Sequence, residues 1–296
     1  MRAVASAIGH LHALATHRAW IISDLQQSIP AEAERCLTAA VEDTRALGLR
    51  LDRIWYLGDA VEGSDPERTA IMARMQIAVL DSLTTPVLFI SGNHDFDLVA
   101  AGKGSEPALR SAARDLPNWR TTTALDQPYL WDELGGCAIV ALSDHCDPGG
   151  RWLSTHGRLH GDEAAYPHAG TLPKLRAEIA ACGKPVITLA HYALPGGNRP
   201  APLFDGLMPL PSNVRLHVHG HAHIGDSVWA GKDCHRKIAC VDGHPVPQVD
   251  IASLEDKRGN SIRSAFLELY ADGGCAVLFR DHTARRWSDA LLLDPA

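Results

Sequence analysis

Several common features are missing from this chain, and each absence narrows what it can be. No two cysteines stand in CxxC spacing; the seven are dispersed at positions 36, 137, 146, 182, 234, 240 and 275. An odd, scattered set reads as reduced thiols in a cytoplasmic protein, not as a disulfide framework. Cys234, His235 and Cys240 sit close together, but at a spacing that suits zinc poorly. No apolar run approaches the ~18–20 residues that a membrane span requires. Positive charge is in deficit, with 28 Lys and Arg against 35 Asp and Glu and a net charge of −7. That is the wrong balance for a protein that lives on a phosphate backbone. No internal repeat or low-complexity tract interrupts the sequence. The Ala-rich stretch 3–15 follows Arg2 but is broken by His10 and His12, with His17 soon after, so no clean signal-peptide core forms. Residues 1–18 are therefore read as an N-terminal extension or short helix, and 19–296 as a single domain.

What remains is the composition of a globular enzyme, 46% hydrophobic and 21% charged over 296 residues, with an unusual 16 histidines. Short apolar runs at Ala19–Ser23, Ile54–Leu57, Val87–Ile90, Ala138–Leu142, Val186–Ala190 and Val214–His219 read as buried strands. Between them lie helical patterns. In 31–47 the residues Cys36, Leu37, Ala40, Val41, Thr44 and Leu47 recur at three- and four-residue spacing. In 67–83 a stripe of Ile71, Met75, Val79 and Leu83 suggests a second helix, and 172–181 a third. This alternation predicts α/β packing. Towards the end the character changes. Ile238–Val241, Val249–Ser253, Phe266–Tyr270 and Ala276–Arg280 look like strands, the last two joined by a turn at Ala271-Asp272-Gly273-Gly274. They predict a second, mainly antiparallel sheet. The stretches 97–120, 145–170 and 193–213 read as long loops.

The residues that carry chemistry sit where these strands end. The first ends in Ser23-Asp24-Leu25-Gln26, the second in Gly58-Asp59-Ala60-Val61-Glu62, and the third in Gly92-Asn93-His94-Asp95. Two later ones end in Ala190-His191-Tyr192 and Gly220-His221-Ala222-His223. Binding sites in open α/β sheets form beyond the carboxyl ends of strands. Taken alone, Asp24 or Asp59 would be a helix cap and Asn93 a turn residue. Together they form a mixed oxygen and imidazole donor set without thiolate, suited to Mn or Fe, with Zn allowed. In His217-Val218-His219-Gly220-His221-Ala222-His223, strict alternation would put four histidines on one face. The glycine suggests instead that the strand stops before His221. Glu62 is either an outer neighbour of the metals or a solvated charge. His156, His160 and His168, with Arg151 and Arg199, default to solvent, and Trp55 and Trp131 to packing.

These segments resemble the motifs of the calcineurin-like metallophosphoesterases: D-x-H, GDxx(D/E), GNH(D/E), a lone His after a strand, and GHxH. The order matches, over Ala19–Ile224. The resemblance implies a four-layer α/β/β/α sandwich of two mixed sheets, with the motif core in 19–224 and C-terminal strands in 225–296. It implies two divalent metal ions. Asp59 would bridge them, Asp24 and His223 would complete the first site, and Asn93, His191 and His221 the second. It leaves His217 and His219 as supporting residues. Gln26 stands where the first motif normally has His, and its carbonyl oxygen is a candidate metal ligand. His94 would face the substrate and stabilise or protonate the leaving oxygen, with Asp95 fixing its orientation. The implied reaction is hydrolysis of a phosphate mono- or diester by a hydroxide on the metal pair. The implied partner is a small phosphorylated substrate, without nucleic acid or membrane; oligomeric state is left open. A nuclease of the same family and a non-catalytic scaffold with a vestigial site are the rival readings.

Overall fold

A computed structural model describes residues 8, 11–104, 106–122, 129–142, 171–195, 207–223, 236–241 and 244–295. Strands β1 (Ala15–Ile22), β2 (Arg53–Tyr56), β3 (Val87–Phe89) and β4 (Trp119–Thr121) lie side by side and parallel. Strands β11 (Arg263–Tyr270), β12 (Cys275–Asp281) and β13 (Arg286–Leu293) extend the other edge of β1 with antiparallel pairing. The result is a seven-stranded mixed sheet ordered β13-β12-β11-β1-β2-β3-β4. A second, six-stranded mixed sheet is ordered β5-β6-β7-β8-β10-β9. Its strands are β5 (Tyr129–Leu134), β6 (Cys137–Leu142), β7 (Val186–Leu189), β8 (Val214–His219), β9 (Arg236–Val241) and β10 (His244–Asp250).

Three apolar clusters define the layers. Strand residues alternate between faces, so Trp20, Ile22, Ile54, Tyr56 and Phe89 point one way and Ile21, Trp55, Leu57 and Leu88 the other. The first set packs under helices α1 (Pro30–Ala46), α2 (Pro66–Asp81) and α4 (Ala108–Ala113). The second set meets Ile187, Leu189, Leu216 and Val218 between the two sheets. On the far side Val140, Val186 and Val214 pack against Leu172, Leu175 and Ile179 of helix α5 (Thr171–Ala181). This is the α/β/β/α sandwich that the motifs implied. Trp55 is wholly buried between the sheets and Trp131 packs at the α5 side, as expected for packing residues.

Some sequence expectations change. The C-terminal strands do not build a sheet of their own; β11–β13 complete the first sheet and β9–β10 the second. The run 97–120 is no loop. It contains helix α3 (Asp97–Ala100), α4 and β4. The stripe Ile71, Met75, Val79 and Leu83 is not the buried face of α2. That face is Thr69, Met72, Ala73, Gln76 and Leu80, and Ile71 is exposed. A strict four-residue step drifts off a 3.6-residue helix. Its true face also includes a polar residue, because Gln76 accepts from Tyr56 Oη at 2.7 Å and donates to Ala60 O at 2.8 Å. Strand β1 begins at Ala15, inside the stretch read as an extension. Cys146, Arg151, His156, His160, His168, Arg199, Cys234 and His235 lie outside the described residues. Among the described residues no helix is long and apolar enough to cross a membrane.

Helix α1 is pinned to the first sheet by a buried charge. Asp43 accepts two bonds from Arg280, at 2.8 Å from Nε and 2.8 Å from Nη2, and one from His282 Nδ1 at 2.8 Å. His282 Nε2 in turn accepts from Ser264 Oγ at 2.6 Å, and Ser264 Oγ accepts from Trp20 Nε1 at 2.8 Å. Burial opposes the Asp43 charge, but Arg280 and His282 outweigh it and hold the carboxyl well below the usual carboxylate range. A depressed pKa stabilises the fold above the ordinary carboxylate value, and that contribution is lost as pH falls towards the folded-state value. Asp43→Ala leaves Arg280 buried without its partner. It is expected to cost about 3–5 kcal/mol in urea unfolding at pH 7. A loss below ~1 kcal/mol would show that the network is not what anchors α1.

Candidate metal centre

The two sheets end together, and their loops interlock. Beyond β1, Asp24 N donates to Gly58 O at 3.0 Å and Gln26 N to Asp59 O at 3.1 Å. Across the sandwich, His191 Nδ1 donates to Leu57 O at 2.7 Å. Each of the two aspartates then uses one oxygen to hold a neighbouring loop. Asp24 Oδ2 accepts from His221 N at 3.0 Å, and Asp59 Oδ1 accepts from His94 N at 2.9 Å. The other oxygens, Asp24 Oδ1 and Asp59 Oδ2, are buried and make no hydrogen bond.

What those oxygens face is a set of imidazole nitrogens. Asp59 Oδ2 lies 3.3 Å from His191 Nε2. Because His191 gives its Nδ1 proton to Leu57, Nε2 presents a lone pair when the ring is neutral. It also lies 3.2 Å from Asn93 Oδ1 and 3.2 Å from His221 Nδ1. Asp24 Oδ1 lies 3.0 Å from His223 Nε2, which is 2.9 Å from the Gln26 carboxamide. Asp59, His191 and His221 form one group whose donor atoms lie within 4.8 Å of each other; Asp24, Asp59 and His223 form another. Asp59 belongs to both. The residues expected from the sequence to hold metal thus lie close together, with Asn93 and Gln26 beside the two groups.

The backbone is bent to achieve this. Asp24, Asp59, His221 and His223 all adopt positive φ, at 55°, 51°, 68° and 47°. Such conformations cost about 1–3 kcal/mol each and gather at functional sites. The motif glycines permit the close approach. A Cβ on Gly92 would collide with the Asp59 side chain and backbone, and one on Gly220 with Ser23 and with Asp24 Oδ2.

Electrostatics follow from the geometry. Burial disfavours the Asp24 carboxylate, but His223 overrides it and lowers its pKa. Burial likewise opposes Asp59, and His191 holds it far below the usual range. The reciprocal effect appears on His223. Burial lowers its pKa, yet Asp24 and Glu255 raise it to about 10. Without metal, protons on imidazole thus supply the positive charge that the carboxylates require. The donor set, the two orphaned oxygens and the shared aspartate fit a pair of cations in place of those protons.

His94 stands beside the cluster without joining either ligand group. Its orientation corrects one expectation. Asp95 does not hold it; Asp97 does, with Oδ2 3.0 Å from His94 Nδ1. Asp95 is fully occupied as a clamp between loops, accepting from Ala60 N at 3.0 Å and Gly92 N at 2.7 Å. Burial lowers the His94 pKa, but Asp97 and Asp59 together raise it to about 9. His217 and His219 fall outside the ligand groups. Strand β8 ends at His219, and both rings are buried. His217 Nε2 donates to Tyr192 O at 3.0 Å and His219 Nδ1 to Gly220 O at 2.9 Å, which supports the loops that carry His191 and His221. Burial brings these two imidazoles down to about 3 and about 4.

Three participants were not singled out in the sequence. Tyr192 donates from Oη to Asn93 Oδ1 at 3.2 Å, and its adjacency to His191 was the available signal. Asp97 and Glu255 had none, since a carboxylate in a helix or loop is commonplace. Glu62 turns out to pair with Lys257 at 2.7 Å.

The model of the calcineurin-like phosphoesterases matches residues 17–225. The chain belongs to that family, which depends on a dinuclear metal centre. Similar folds include a dimetal phosphatase from Danio rerio, with TM-score 0.62 and 14% identity over 95% of this chain and 100% of that one. Purple acid phosphatase PPD1 from yellow lupin (Lupinus luteus) has TM-score 0.56 and 12% identity over 94% of this chain and 54% of its own. The sulfate thiohydrolase SoxB of Thermus thermophilus has TM-score 0.50 and 13% identity over 92% of this chain and 58% of its own. At such identities the likeness speaks for the fold, and one fold hosts several chemistries. No curated protein sequence matches this chain significantly.

Metal binding here must displace protons, above all the one on His223 with its pKa raised to about 10. Affinity for a divalent ion is therefore expected to rise steadily from about pH 6 to about pH 9. Calorimetric titration in buffers of different ionisation enthalpy should register net proton release. An affinity that is flat across this range would rule out imidazole ligation.

Proposed function

We propose that this chain hydrolyses a mono- or diester of a small phosphorylated molecule, using two divalent cations. The observation that carries this reading is the convergence of Asp24 Oδ1, Asp59 Oδ2, His191 Nε2, His221 Nδ1 and His223 Nε2. Asp24, Gln26 and His223 would hold one ion, Asn93, His191 and His221 the other, and Asp59 both. Gln26 would present its buried, unpartnered Oε1. Mn and Fe suit this mixture of oxygen and imidazole best, and Zn is compatible with it. When bound, the pair supplies a water acidified to near neutrality and positive charge for the phosphoryl oxygens.

The chain's own groups do the rest. With Nδ1 held by Asp97, His94 keeps Nε2–H free to donate to the leaving oxygen, and its raised pKa keeps that proton in place at neutral pH. Asp95 acts only by tying the β2 and β3 loops together. The net charge of −7 weighs against a nucleic-acid substrate. A histidine polarised by Asp97 beside the cluster has no use in a binding module without activity.

The test is a panel of phosphomonoesters and phosphodiesters, assayed with a chelator and with added Mn, Fe or Zn. Hydrolysis should vanish with chelator and return with metal. His94→Ala is expected to keep its metal content and lose at least ~10²-fold in turnover. A full rate in that variant would remove the role of His94, and no metal-dependent turnover across the panel would overturn the proposed reaction.

A further inference from the structure

The segment after β10 lies beyond the 17–225 region that the family model matches, yet it is built into the centre. It turns at Ala252, with φ 65°, and runs back along the end of β1. Leu254 N donates to Ser23 O at 3.0 Å and Glu255 N to Asp24 O at 3.1 Å. These bonds place the Glu255 side chain against His223, with Oε1 2.8 Å from Nδ1 and the carboxylate wholly buried. The carboxylate is itself steadied from behind. Lys257 Nζ lies 3.3 Å from Glu255 Oε2 and 2.7 Å from Glu62 Oε2, so the segment is strapped to the loop that carries Asp59.

This matters because the first metal position is poor in strong donors. The second position has two imidazoles, His191 and His221. The first has only His223, since Gln26 occupies the place where a second imidazole would stand. A buried carboxylate on Nδ1 fixes the ring with Nε2 turned towards Asp24 Oδ1, 3.0 Å away, and increases the basicity of that nitrogen.

We infer that Glu255 is a positioning residue that sets the affinity of the first metal position by orienting and polarising His223. This rests on the two-cation reading above. Glu255 touches no substrate; it acts only through His223. Removing its charge is therefore expected to affect one of two bound ions and leave the other unaltered. Loss of such an outer partner typically costs about 10- to 100-fold in metal affinity.

The experiment is equilibrium dialysis of the full chain against Mn(II), with elemental analysis, for wild type, Glu255→Ala and Glu255→Gln. Wild type should bind two equivalents. Glu255→Ala should retain one with unaltered affinity and hold the other about 10- to 100-fold more weakly. Glu255→Gln, which keeps the shape beside Nδ1 but loses the charge, should fall between them. Circular dichroism melts establish that each variant is folded. If Glu255→Ala is not, Glu255→Gln carries the test, with selective weakening of one equivalent as the expected result. Two equivalents bound with wild-type affinity in the folded variants would overturn the inference and leave the two-cation reading standing, and so would equal weakening of both. A wild-type chain that does not bind two equivalents would overturn both.

Discussion

Two aspartates with one unsatisfied oxygen each are the constraint around which this molecule is organised. Asp24 and Asp59 are completely buried, and each spends one oxygen on the backbone of a neighbouring loop. The second oxygen faces a histidine nitrogen and lacks a hydrogen bond. Buried charge in that state is unstable unless something positive is close by. In the absence of metal the imidazoles can supply it as protons. A divalent cation supplies more charge and satisfies several lone pairs at once. The same bonds that leave those oxygens bare also fix where His94 and His221 begin, so the charge requirement and the loop geometry are one feature.

The rest of the fold can be read as support for that feature. Parallel strands from two sheets deliver their carboxyl ends to one edge, and the apolar layer between the sheets holds those ends in register. Positive φ at Asp24, Asp59, His221 and His223 turns the chain sharply enough for side chains from distant segments to meet. The Asp43–Arg280–His282 network serves a different purpose, since it lies beneath α1 and locks helix to sheet. The two buried carboxylate systems differ in one respect. Both oxygens of Asp43 have protein partners, whereas Asp24 and Asp59 keep one oxygen each in reserve.

Much of this could be read from the sequence because local physics and global fold agree there. The run Val214–His219 is apolar on alternate positions and stops at Gly220, and β8 has those bounds. The face of α1 was legible because Cys36, Leu37, Ala40 and Val41 repeat at helical spacing and are all buried. The convergence of Asp24, Asp59, His191, His221 and His223 was legible because short polar motifs follow short apolar runs. Other parts were hidden for identifiable reasons. The face of α2 contains Gln76, a polar residue whose burial depends on Tyr56 and Ala60, far away in the chain. Strand β10 contains Pro245 and Pro247, which argue against a strand. They are tolerated because its ladder to β8 covers only Gln248–Asp250. Which sheet β11 joins depends on its pairing with β1, a long-range contact without local trace. Asp95 attracted attention by adjacency to His94, but a turn of 3-10 helix at His94–Phe96 directs Asp95 inward and brings Asp97 to the ring. Glu255 reaches His223 only through tertiary structure.

Anomalous diffraction from crystals soaked in Mn(II) bears most directly on the pair of cations. Two peaks about 3.5–4 Å apart are predicted, the spacing usual for two-metal hydrolytic sites. One should lie against Asp24 and His223 and the other against Asn93, His191 and His221, with Asp59 between them. No peak among these residues, or a single peak without contact to Asp59, would contradict the shared-carboxylate centre.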